Sequence, residues 1–214
     1  MESVCQGGCA HGNHARKRGA LTPEEKRRAL ELDPVSGPEV EAGLQEKEEI
    51  IRDRKHVAFV RAGAQTGADR GGLDAARDVG VPICGWVPKG GRAEDAGRAP
   101  GLLRLYPELV ETPSDWYMQR TAWNVRDSHC TLIVCAGGIE AGSGTEATVE
   151  FARDYGRPWM VAEGPADADH VWEWLVGIGQ GLTVNIAGPR ASKDPDVYGL
   201  AYDLLTLILL RDRS

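Results

Sequence analysis

A chain of 214 residues that is 42% hydrophobic and 27% charged has enough apolar material for one buried core and enough charge to stay in water. Its formal charge of −7 argues against general nucleic-acid binding, which calls for a basic face or stripe, and no apolar run reaches the roughly 18 residues of a membrane span. Five scattered cysteines, an odd number, make no disulfide framework, and no signal-peptide pattern opens the chain, so a cytoplasmic location is the expectation.

Residues 1–55 are polar, rich in charges of both signs and poor in branched apolar side chains. Thr22-Pro23-Glu24-Glu25 predicts a helix start: Thr22 caps, Pro23 suits the first turn, and Glu25 completes a capping box. That helix should run to Leu32 and stop before Asp33-Pro34, with a second over 39–54. The segment reads as a partly helical N-terminal extension with no core of its own. Cys5, Cys9, His11 and His14 fall within ten residues and are soft ligands of the kind zinc or copper takes. Their spacing matches no closed finger and no apolar residues accompany them, so a plain polar tail explains them as well.

From residue 56 the pattern changes. His56–Val60 is a short apolar strand followed by a glycine loop and a helix from Asp69 to Asp78; Val81–Cys84 is a second strand. Residues 117–128 place Arg120, Asn124 and Asp127 on one face at helical spacing, directly before a third strand, Thr131–Cys135. Another glycine loop and a helix from Thr145 to Tyr155 precede a fourth strand at Pro158–Val161. A fifth follows at Leu182–Ala187, and Asp194-Pro195 starts a final helix. Nearly continuous apolar strands separated by helices indicate a parallel sheet covered on both faces. The predicted fold for 56–214 is therefore a doubly wound, Rossmann-like α/β domain.

In such sheets ligands bind beyond the carboxyl ends of the strands, where the strand-to-helix loops gather. The first loop, with Gly63, Gln65, Thr66, Gly67, Asp69 and Arg70, has glycines for close backbone approach and a helix start whose N–H groups attract an anion. It lacks the Lys-Ser/Thr end of a Walker loop and the spacing of the dinucleotide fingerprint. A tight turn capped by Asp69 is the plainer alternative. Gly142, Ser143, Gly144 and Thr145 repeat the strand, glycine loop, helix arrangement and could cradle a phosphate with hydroxyls and amides. Lys89, Arg92 and Glu94 sit on a loop at a strand end, where two cations suit a phosphate or carboxylate. Asn124, Arg126 and Asp127 form a polar group that surface ion pairs would explain equally well. Arg190 adds a cation after the last strand.

In series, these segments resemble one family, the putative molybdenum carriers related to the YpsA-like branch of the SLOG superfamily. The resemblance rests on Gln65-Thr66-Gly67-Ala68-Asp69-Arg70, Gly85-Trp86 with Pro88-Lys89-Gly90, and Arg92-Ala93-Glu94-Asp95. It continues through Glu111-Thr112-Pro113, Gln119-Arg120-Thr121 and Trp123-Asn124-Val125-Arg126-Asp127-Ser128, and ends with Asn185 to Ser192. It spans about 57–210. Two positions depart from the family pattern: Ala64 stands where a second glycine is usual, and His129 where an acidic residue is.

The resemblance implies a Rossmann-like fold, a homo-oligomer, and a phosphate-bearing small molecule as partner, a nucleotide or a pterin such as molybdenum cofactor. The competing expectation is an N-glycosidase acting on nucleoside monophosphates. Relatives with that activity carry a Gly-Gly-x-Gly-Thr-x-x-Glu loop, and this chain has Thr148 at the carboxylate position. A glycosidase needs carboxylates to assist the leaving group and stabilise the cationic sugar. Glu146 is the candidate substitute, displaced around the helix at about 100° per residue. Binding is thus the first expectation and hydrolysis the alternative.

Overall fold

The computed structural model describes residues 55–213, with Glu24 alone, helical, before them. The remainder of the N-terminal extension, including Cys5, Cys9, His11 and His14, lies outside the described residues.

In chain order the elements are β1 (Val57–Arg61), α1 (Ala68–Val79), β2 (Ile83–Cys84), β3 (Trp86–Val87), β4 (Val110–Glu111), α2 (Tyr117–Arg126), β5 (Cys130–Val134), α3 (Gly144–Asp154), β6 (Trp159–Ala162), α4 (Ala168–Ile178), β7 (Leu182–Ala187) and α5 (Val197–Arg211). Five strands form one parallel sheet in the order β2-β1-β7-β5-β6, and β3 pairs with β4 in a separate parallel ribbon.

Alternation along β5 divides the core. Leu132 and Val134 join the cluster of Leu73, Ile186, Leu204 and Ile208, whereas Ile133, pointing the other way, packs with Val149 of α3. Hence α1, α4 and α5 cover one face, and α2 and α3, with Trp123 and Phe151 between them, cover the other. Every residue of β5 is buried, the signature of a strand covered on both sides. The doubly wound expectation holds.

The strand order has a further meaning. Counted from β7 instead of β1, it reads 3-2-1-4-5, the ordinary doubly wound sequence. The central strand is therefore the last one made. Its helix, α5, ends beside the start of β1, where both oxygens of Asp212 accept backbone N–H groups, His56 at 2.9 Å and Val57 at 2.9 Å.

Three details depart from the expected elements, the first being the β3–β4 ribbon, which was not among them. The final helix begins at Val197, not at Asp194-Pro195: Asp194 uses its carboxylate on the N–H of Asp196 (3.1 Å) and forms a turn ahead of the helix. Helix α4, carrying the half-buried Trp172 and Trp174, was not among the expected elements; only Val171 and Leu175 of it are buried, too narrow a stripe to stand out.

Candidate functional site

The loop after β1 is built around a buried ion pair. Asp69, on the first turn of α1, is 4% exposed and receives Nη1 of Arg120 from α2 at 3.0 Å and the N–H of Gln65 at 3.2 Å. Burial pushes the Asp69 carboxyl above its ordinary range despite the opposing pull of Arg120. The guanidinium lies over Gly63 so closely that a Cβ there would stand 2.0 Å from Nη1. Nε of Arg120 is buried without a partner among the described residues. Ala64 takes φ 51°, the one left-handed non-glycine backbone among them, at the position where the resembled family has glycine.

Gln65 and Glu94 then tie three loops together. Oε1 of Gln65 accepts the N–H of Thr66 (3.1 Å) and that of Glu94 (3.0 Å), bringing the 88–96 segment onto the β1 loop. Oε1 of Glu94 accepts from the Thr66 hydroxyl and from Ser192 N–H (3.3 Å); Oε2 accepts from the Ser192 hydroxyl (2.6 Å) and faces Nε of Arg190 at 3.6 Å. Burial opposes the Glu94 charge, but these donors outweigh it and hold the carboxyl below its usual range. Arg70 grips the neighbouring Asp95 through two bonds of 2.6 and 2.7 Å. Gly67 makes the close approach to the β7 loop possible: at φ 88° it has no Cβ to strike Pro189 O, which would be 2.5 Å away.

So Gly63, Gln65, Thr66, Gly67, Asp69, Arg70, Glu94 and Arg190 are gathered at the carboxyl edge of β1 and β7. The other expected residues have separate placements. Lys89 and Arg92 line an open depression of about 740 Å³ together with Arg98 and Ser114, where Arg92 pairs with Asp115 at 3.1 Å. Asn124 is 2% exposed and bonds both backbone groups of Trp86, accepting its N–H (2.8 Å) and donating to its carbonyl (2.9 Å). Asp127 accepts the Trp86 indole N–H at 2.7 Å and is held by Arg126. These three residues anchor β3 to α2.

The loop before α3 caps its own helix. Ser143 accepts the N–H of Glu146 (3.1 Å), Glu146 accepts that of Gly142 (2.6 Å), and Thr148 bonds back to the carbonyl of Gly144 (2.9 Å). Ser143 and Glu146 thus close the start of α3 between them in a capping box. An exposed ion pair, Lys193 to Glu140 at 3.3 Å, links this loop to the one after β7.

Arg120 and Ser192 carry more of the network than their sequence context suggested. Each belongs to a motif quoted above, but Arg120 pairs with a residue 51 positions away and Ser192 with one 98 away. No spacing rule reaches that far. Among the described residues no group of His, Cys, Asp and Glu could hold a metal ion, and no helix is long and apolar enough to cross a membrane.

A doubly wound sheet with its polar loops gathered at the carboxyl edge defines a Rossmann-like domain. The chain belongs to the circularly permutated YpsA SLOG family, whose model matches residues 60–209. A central strand that lies last in the chain is what circular permutation of a doubly wound sheet produces. Among solved structures the chain is similar to one from Syntrophus aciditrophicus SB described as "Putative molybdenum carrier protein". The two are 39% identical, with a TM-score of 0.65, over 73% of this chain and 98% of that one. No curated protein matches the chain.

Proposed function

We propose that this protein binds a small phosphate-bearing molecule, a nucleotide or a phosphorylated pterin such as molybdenum cofactor, at the carboxyl edge of β1 and β7. The observation that carries the reading is the convergence there of hydroxyl, guanidinium and backbone donors from separate loops: Thr66, Arg190 and Ser192, backed by the Asp69–Arg120 pair. Such donors suit phosphate oxygens, which take hydrogen bonds from N–H, O–H and guanidinium groups alike. A pterin cargo would be recognised by its phosphate. The similarity to a protein described as a molybdenum carrier supports the pterin branch.

A carrier fits this edge better than a hydrolase. Glycosidic cleavage needs a carboxylate free to act on the sugar or leaving group. Glu146 is engaged as a helix cap, and the carboxylate position of the hydrolase loop holds Thr148, itself bonded to Gly144.

The test is native mass spectrometry of the purified protein, followed by calorimetric titration with nucleoside monophosphates and a phosphorylated pterin. Co-purification of a phosphorus-containing molecule, weakened at least tenfold by Arg190→Ala, is the expected result. A bound species without phosphorus, or release of ribose 5-phosphate from AMP, would replace the reading.

A further inference from the structure

Glu94 is surrounded by the groups that an anion site is made of. Its two oxygens take two hydroxyls, Thr66 and Ser192, one backbone N–H, that of Ser192, and the flank of the Arg190 guanidinium. These donors come from the loops after β1 and β7, both at the edge where doubly wound sheets take ligands. Glu94 belongs to neither loop. It arrives from the 88–96 segment, which bends through Gly90 and Gly91 at φ 83° and 57° and leaves Glu94 exposed at the rim. A carboxylate reaching in from a third segment to take three hydrogen bonds and face a guanidinium on two others is arranged as a ligand is, from outside the cradle.

We infer that Thr66, Arg190 and Ser192 form an oxyanion cradle that Glu94 occupies as an internal stand-in, and that a tetrahedral dianion of the phosphate-monoester class enters by displacing it. The inference rests on the proposed phosphate-binding reading and adds a subsite and an order of events. Each donor keeps its role on exchange: the hydroxyls and the N–H turn from a carboxylate to a phosphate oxygen, and Arg190 gains a charge of −2 in place of −1. Displacement needs only rotation of the Glu94 side chain, because the segment stays tied by Gln65 to the Glu94 N–H and by Arg70 to Asp95.

An occupied cradle lowers apparent affinity by the fraction of time it is open. If Glu94 leaves it about a tenth of the time, removing the carboxylate tightens binding roughly tenfold. The experiment titrates inorganic phosphate, and separately AMP, into the full-length protein and its Glu94→Ala and Glu94→Gln variants, with thermal melts in parallel. Both variants should bind phosphate about tenfold tighter than the parent, and phosphate should raise the melting temperature of Glu94→Ala more than that of the parent. Adding Ser192→Ala to Glu94→Ala should abolish the gain. If either folded variant binds phosphate and AMP no better than a parent that binds AMP, Glu94 is a structural clip and the inference falls while the binding reading stands. If parent and both variants bind neither phosphate nor AMP, the inference falls together with the phosphate reading.

Discussion

Asp212 and Val57 are 155 residues apart in sequence, yet the carboxylate of one accepts the N–H of the other at 2.9 Å. The same side chain takes the N–H of His56 and is 5% exposed. In an unpermuted doubly wound chain, the helix of the central strand would run straight into the neighbouring strand as one βαβ unit. Here α5 and β1 are the two elements left without a covalent joint, and Asp212 makes the joint by hydrogen bonds. Its removal leaves two strand-start donors without a partner, at about 1–3 kcal/mol for each buried group. With the full range for the buried Val57 N–H and only about 1 kcal/mol for the part-buried His56 N–H, Asp212→Ala should destabilise the domain by about 2–4 kcal/mol in urea denaturation. Asp212→Asn, which keeps one acceptor oxygen, should cost roughly half of that. Equal small losses in both would remove the joint from the account.

Gly63 and Arg120 give a second test. A methyl at residue 63 would stand 2.0 Å from Nη1 of Arg120, 2.5 Å from its Cζ and 2.9 Å from its Cδ, so the side chain must leave its position. Doing so strands the buried Asp69, whose Oδ2 depends on that guanidinium. Breaking a buried pair on one side costs about 3–5 kcal/mol, against nearly nothing for replacing both partners well. Gly63→Ala and Arg120→Ala should each lose stability in that range, less whatever Asp69 recovers by taking up a proton. Adding Asp69→Asn to Arg120→Ala should return a large part of the loss. Additive losses in that double variant would argue that the pair is not coupled.

Much of this architecture was legible in the sequence, and the reasons are local. The run Cys130–Val134 is apolar at nearly every position because it is buried on both faces, and Gly63 and Gly67 mark the loop where backbone and neighbouring side chains crowd. What lay beyond reach was the pairing of distant loops. Nothing in Arg120 points to Asp69, nor in Glu94 to Ser192, because alternation tells which way a side chain faces and not what it meets. The strand order was equally hidden, since β7 reads as one more apolar strand and only its neighbours reveal it as the centre. Asn124 and Asp127 show a different limit, since polarity beside a buried strand does not say which partner a side chain takes. Their polarity beside a buried strand suggests a ligand, and the structure gives them to the backbone and indole of Trp86.

Ala64 yields a prediction of unusual sign. A left-handed conformation costs an L-residue about 1–2 kcal/mol, which glycine avoids. Glycine in turn loses about 0.5–1 kcal/mol more backbone entropy on folding, and one buried methyl is worth about 0.8 kcal/mol. These terms nearly cancel, so Ala64→Gly should change stability by under about 1 kcal/mol, although Ala64 is fully buried. Ala75→Gly, equally buried but in the middle of α1, gains no strain relief and should cost about 1–2 kcal/mol. Chemical denaturation of the two variants side by side measures the difference, and an equal loss in both would show that Ala64 bears no strain.

The Asp127 carboxyl supplies a pH dependence with a defined direction. Burial opposes its charge, but hydrogen bonds from Arg126 and the Trp86 indole outweigh that and hold it below the ordinary aspartate range. A carboxyl depressed in the folded state stabilises the fold above its unfolded value of about 3.9, and that contribution disappears as pH falls through the folded value. Asp127→Asn should accordingly be less stable than the parent at pH 7, with the gap closing only below about pH 4. Because Asp127 serves Trp86 and not the Glu94 network, the variant should bind phosphate-bearing ligands at neutral pH as the parent does. Guanidinium denaturation from pH 3 to 7 reads the first part and calorimetry the second. A gap that persists unchanged at pH 3 would mean that lost packing, and not the Asp127 charge, sets the cost; a tenfold loss of affinity would return Asp127 to the binding site.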